Sequence, residues 1–129
     1  MEDLALKMRI SALWFFMAVS MSAHSVLAFM DIKMVEELWG MEMGPEMMLF
    51  YALFWWVPLV MGVLSVTLKR SSNRGANIIL GIVFTILNIF HLTEHLATGA
   101  VHQILIIGST VVATALIAWY AWKWPKQEA

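Results

Sequence analysis

The chain has 129 residues, 61% of them hydrophobic and only 13% charged, with a mean hydropathy of +0.78. A water-soluble domain of this length has too little core to hide that much apolar surface. The formal net charge of −1 carries no nucleic-acid signal, and the absence of cysteine excludes disulfides, thiolate metal sites and cysteine nucleophiles.

Four runs of mostly apolar residues, at 10–30, 48–68, 77–96 and 102–122, follow one another along the chain. Each makes about 30 Å of helix, the thickness of the hydrocarbon core, so each reads as a transmembrane span. The expected fold is all-α: one domain over residues 1–129, an integral membrane four-helix up-down bundle with the lipid bilayer as its partner. Span 1 follows a short head carrying Lys7 and Arg9. It is too long for a signal-peptide core and lacks a small-residue cleavage site, so it is expected to be retained.

Residues 31–46 form the longest connection, with five acids (Asp31, Glu36, Glu37, Glu42, Glu46) against Lys33 alone. Within it Met34, Val35, Leu38 and Trp39 share one helical face, the pattern of a helix lying in the interface. Pro45 suits the first turn of span 2, and Pro58 is expected to kink that span. The turn over residues 69–74 is basic, with Ser72 or Asn73 as the expected N-cap of span 3. Gly99 suits the C-cap of span 3, and Pro125 ends the last helix before a charged tail. Both turns flanking span 3 are short, which predicts adjacent antiparallel neighbours. Small-residue pairs (Ala18 with Ser22, Gly81 with Thr85, Ser109 with Ala113) suit close helix contact.

The head, the 69–74 turn and the tail hold seven of the eight lysines and arginines. The positive-inside rule therefore predicts cytoplasmic termini. Trp14, Trp119, Trp122 and Trp124 then fall at the inner interface, with Trp39 and Trp55 at the outer one.

Histidines are the candidate site. His91 and His95 stack one turn apart on span 3, and His102 falls on the same stripe if that helix runs on. Glu94 lies about 60° to one side of His91 and Asn88 about 60° to the other. His24 is about 21 Å along span 1, at the height of His91. Ionisable groups inside a span call for an explanation. One is a transition metal, zinc or copper, held by His24, His91, His95, Glu94 and His102. A second is a b-type heme ligated by His24 and His91. A third is a proton or ion relay, and a fourth is plain interhelical hydrogen bonding, the expected role of Asn88. The order His-x-x-Glu-His also occurs in an inverted zinc-protease motif, which makes Glu94 the base of a metallohydrolase reading; no distal glutamate ligand is placed to complete it. Met41, Met43, Met47 and Met48 crowd the outer loop, and Met17 and Met21 share the His24 side of span 1, a soft-ligand pattern suited to copper or to ordinary core filling. No glycine-rich phosphate loop or nucleophile motif accompanies these residues. The leading expectation is a non-enzymatic membrane protein with a His-based site. The alternative is a cofactor-free accessory subunit that binds its own copies or other membrane proteins.

Residues 7–14 (Lys-x-Arg-Ile-Ser-Ala-Leu-Trp), 74–83 (Arg-x-x-Asn-Ile-Ile-x-Gly-Ile-Val) and 119–125 (Trp-Tyr-Ala-Trp-Lys-Trp-Pro) resemble an uncharacterised family of small four-span prokaryotic membrane proteins. At fold level the chain is also similar to DoxX-like four-helix proteins. The resemblance implies four spans in a prokaryotic cytoplasmic membrane and no assigned activity, and the histidines are not part of its pattern.

Overall fold

A computed structural model describes residues 2–126 of the chain; the end of the charged tail lies outside the described residues. The helices are α1 (Glu2–Met30), α2 (Ile32–Gly40), α3 (Pro45–Thr67), α4 (Arg70–Thr98) and α5 (Val101–Lys123). Of these, α1, α3, α4 and α5 are long and apolar enough to cross a bilayer. The fold is all-α, as expected.

Helix ends follow local chemistry. Pro45 opens α3, where its missing N–H costs nothing, and Gly99 closes α4 in the left-handed conformation (φ 70°). Asp31 caps α2, its carboxylate accepting the Lys33 N–H at 3.0 Å. On α2, Met34, Val35 and Leu38 are half-buried, Glu36 and Glu37 exposed, and Trp39 is 83% exposed. The head is helical from Glu2 and continuous with span 1, because its two acids favour a helix start and Leu6 continues the buried stripe of Ile10 and Trp14. One expectation fails. The cap of α4 is Lys69, not Ser72 or Asn73, because the Asn73 side chain is drawn inward to the Ser65 carbonyl (2.7 Å).

Helix α1 packs along both α3 and α5, and α5 packs along α4. By contrast, α3 and α4 touch only lightly despite the short turn between them. Bulk explains this: Phe54 and Phe84 stand between the two backbones, with ring centroids 5.5 Å apart. Small residues bring α4 and α5 together instead. A Cβ on Gly81 would lie 2.9 Å from the Ala118 backbone nitrogen, and Thr85 reaches the Thr114 hydroxyl at 3.0 Å.

Two kinds of buried side chain hold the interior. Ile10, Trp14, Met17 and Met21 of α1 meet Phe54, Met61, Phe84, Ile107 and Ile117 in an apolar core. Beside them runs a polar network. Asn77 Oδ1 accepts from Trp14 Nε1 (2.6 Å) and Ser65 Oγ (3.3 Å), while Asn77 Nδ2 donates to Asn73 Oδ1 (2.6 Å). Ser11 donates to the Gly62 carbonyl at 2.6 Å. The outward faces are apolar, with Phe29, Trp56, Phe90 and Leu105 well exposed. That inversion, amides inside and hydrocarbon outside, suits a lipid solvent.

Trp14 and Trp124 are corrections to the expected aromatic belt. Trp14 is fully buried on Asn77, and Trp124 is buried with its Nε1 donating to Asp3 Oδ1 at 2.8 Å. Trp119 and Trp122 are exposed as expected. The start of α1, the end of α3, the start of α4 and the end of α5 are tied together at one end of the bundle. Arg70 Nε donates to Asp3 Oδ1 (2.9 Å), Lys7 Nζ to the Leu68 carbonyl (2.9 Å) and Arg74 Nε to the Trp124 carbonyl (2.8 Å).

Candidate metal centre

Three helical stripes converge at the other end. On α4 the inward stripe runs Asn73, Asn77, Gly81, Phe84, Asn88, His91, His95, in steps of three and four. On α1 it runs Ile10, Trp14, Met17, Met21, His24 and Ala28. On α5 it starts at Gln103 and continues through Ile107, Thr110, Thr114 and Ile117. Alternating steps of three and four keep a stripe on one face of a helix. Periodicity alone thus carries His24, His91 and His95 inward.

His24 reaches across the interior from α1 to α4. Its ring centroid lies 4.7 Å from that of His91 and 4.9 Å from that of His95, both near perpendicular. His91 Nε2 and His95 Nε2 face each other at 3.2 Å. One ligand nitrogen from each of the three rings lies within 4.8 Å of the others. His95 is buried, and His24 and His91 are half-buried. Phe54 of α3 stands against His91, with centroids 6.4 Å apart. Gln103 is fully buried: its Nε2 donates to the His24 carbonyl (3.2 Å), and its Oε1 lies 2.6 Å from His24 Nδ1.

Glu94 and His102 do not join the group. Glu94 is one residue before His95, about 100° round the helix, and is exposed. The helix does not run on past Gly99, so His102 starts afresh on α5. There Gln103 takes the inward position and His102, 100° away, is turned out and exposed. Met41, Met43, Met47 and Met48 are likewise exposed, whereas Met17 and Met21 are core residues. Asn88 lies below His91 on the same stripe. Its Nδ2 makes long contacts to the Thr110 carbonyl (3.5 Å) and Thr114 Oγ1 (3.4 Å), and its buried Oδ1 has no protein partner.

The group's chemistry follows from its atoms. Two imidazole nitrogens bound tetrahedrally to one zinc at 2.0–2.1 Å are about 3.3–3.4 Å apart. The His91–His95 separation of 3.2 Å is close to that chord. The same separation also suits one N–H···N hydrogen bond. Sequence reasoning missed Gln103. The signal was present, since Gln103 begins the same α5 stripe as Ile107, Thr110, Thr114 and Ile117.

A family model described as "Family of unknown function (DUF6326)" matches residues 3–129, and the chain belongs to that family. No curated protein and no solved structure matches.

Proposed function

We propose that this member of a family without an assigned activity is a multi-pass membrane protein that binds one transition-metal ion, zinc by preference, through His24, His91 and His95. The observation that carries the reading is the meeting of three imidazoles from two helices that do not pack backbone to backbone. Three histidines leave a fourth position open on a tetrahedral ion. Zinc suits imidazole donors, and the exposed loop methionines bring no soft ligand to the group. A heme fits less well. A porphyrin ligated by His24 and His91 has to pass between them, where the His95 ring stands against both. The metallohydrolase reading lacks a base in the group, because Glu94 is exposed.

The basic residues at the end tied by Asp3, Lys7, Arg70 and Trp124 support cytoplasmic termini by the positive-inside rule. The starts of α1 and α4 meet the ends of α3 and α5 at that one end, which supports the up-down arrangement. With that orientation the histidines lie in the outer half of the bilayer. The resemblance in residues 7–14, 74–83 and 119–125 supports a prokaryotic cytoplasmic membrane.

Metal analysis of protein purified without chelator, alongside His91→Ala, tests the reading. Near-stoichiometric zinc in the wild type and its loss in a still-folded His91→Ala variant are expected. A second reading rests on the His24–Gln103 hydrogen bonds between α1 and α5, with the 3.2 Å His91–His95 contact a hydrogen bond within α4: the histidines are interhelical glue in a cofactor-free accessory subunit. It predicts a metal-free wild type, with His91→Ala lowering thermal stability alone.

A further inference from the structure

We infer that Gln103 is the positioning residue of this centre: it holds the His24 ring with its proton on Nδ1 and so leaves Nε2 as the ligand atom. The inference rests on the metal reading above. The amide of Gln103 has one orientation that satisfies both its neighbours. The His24 backbone carbonyl, 3.2 Å away, only accepts, so it must face the Gln103 NH2 group. That leaves Oε1, which also only accepts, 2.6 Å from His24 Nδ1. Nδ1 therefore carries the proton. A neutral imidazole has one N–H and one lone pair, so the lone pair of His24 is on Nε2.

The consequence reaches the whole group. His91 and His95 already turn Nε2 toward each other. With His24 fixed in the Nδ1–H form, all three rings offer the same kind of nitrogen to one ion. An outer partner on the far nitrogen is the usual way a ligating histidine is oriented and made more basic. A glutamine does this without adding a carboxylate to a membrane span, where a charge is costly. Its position in the first turn of α5 also ties that helix start to α1, since both bonds end on His24.

That tie is what a purely structural role would consist of, so the test reads the tautomer and the affinity as well as stability. The full chain, histidine labelled with 15N, is prepared metal-free in micelles as wild type, Gln103→Leu and Gln103→Glu. Ring 15N shifts report the His24 tautomer, and titration with zinc against a chromophoric chelator reports affinity. The wild type is expected to show Nδ1–H at His24 before any metal is added. Gln103→Leu is expected to mix the two tautomers and weaken zinc about 10–100-fold. Gln103→Glu, which restores an acceptor, is expected to recover both. A wild-type His24 protonated on Nε2 overturns the inference even if zinc binds and even if Gln103→Leu fails to fold. So does a Gln103→Leu variant that loses thermal stability with tautomer and affinity unchanged. A wild type with Nδ1–H that binds no zinc overturns the metal reading and leaves the tautomer assignment standing.

Discussion

Replacing Asn77 by Leu probes the polar network directly. Leucine keeps the four-heavy-atom, γ-branched outline of asparagine and carries no hydrogen-bonding atom, so the change chiefly removes hydrogen bonding. Trp14 Nε1 and Asn73 Oδ1 lose the partners at 2.6 Å, and Ser65 Oγ loses the one at 3.3 Å. Trp14, Ser65 and Asn73 are fully buried, so water does not replace what is lost. Interhelical hydrogen bonds in membrane proteins average about 0.6 kcal/mol and reach about 1.7. Two such bonds, from α1 and α3, put the expected loss at about 1–3 kcal/mol. Reversible unfolding in mixed micelles, titrated with denaturing detergent and followed by tryptophan fluorescence, measures it. A double-mutant cycle with Trp14→Phe should return a coupling of about 0.6–1.7 kcal/mol. Asn77 is fourteen residues from His91, about 21 Å along α4, so zinc affinity should not change. An Asn77→Leu protein as stable as wild type, or a coupling indistinguishable from zero, would refute the reasoning.

Gly81→Val should part α4 from α5, because the first added carbon already meets backbone at Ala118. A loss of about 1–3 kcal/mol in the same detergent titration is expected, and no loss for Gly108→Ala, where a Cβ meets nothing within 4 Å and the helix interior favours alanine over glycine. Orientation is checked by cysteine labelling in cells: Met43→Cys should react with an impermeant reagent and Ser72→Cys should not, and the reverse pattern inverts the topology. Glu94→Gln should leave bound zinc unchanged, as its carboxylate is exposed; loss of the metal on that substitution would restore Glu94 as a ligand.

Much of this was legible in residue spacing. The long apolar runs, the Pro45 start and the Gly99 stop read correctly because each rests on chain-local chemistry. His91 and His95 are one turn apart on any helix, and His24 was matched to them by counting rise per residue. Partner choice was less legible. Nothing in a single helix says that Trp14 finds Asn77 rather than the headgroup layer, or that Phe54 and Phe84 hold α3 and α4 apart. His102 shares the His91 stripe only if the helix runs on, and Gly99 ends it first; Glu94, about 100° from His95, is exposed. Gln103 is masked by its neighbour: His102 carries the recognisable ligand chemistry, while the buried stripe begins one residue later.

The inward amides of α4 also bear on how the chain is made. A segment carrying Asn73, Asn77 and Asn88 is a poor candidate to rest alone in hydrocarbon, where each unmet polar group costs several kcal/mol. Its partners for the first two, Trp14 and Ser65, belong to helices that leave the ribosome earlier. The third, Asn88, finds Thr110 and Thr114 on α5, which emerges later. Biogenesis therefore splits α4 lengthwise. Its first half can be received by a waiting α1–α3 pair, and its histidines by His24 and Phe54 of that pair, whereas Asn88 stays unmet until α5 arrives and brings Gln103 to His24.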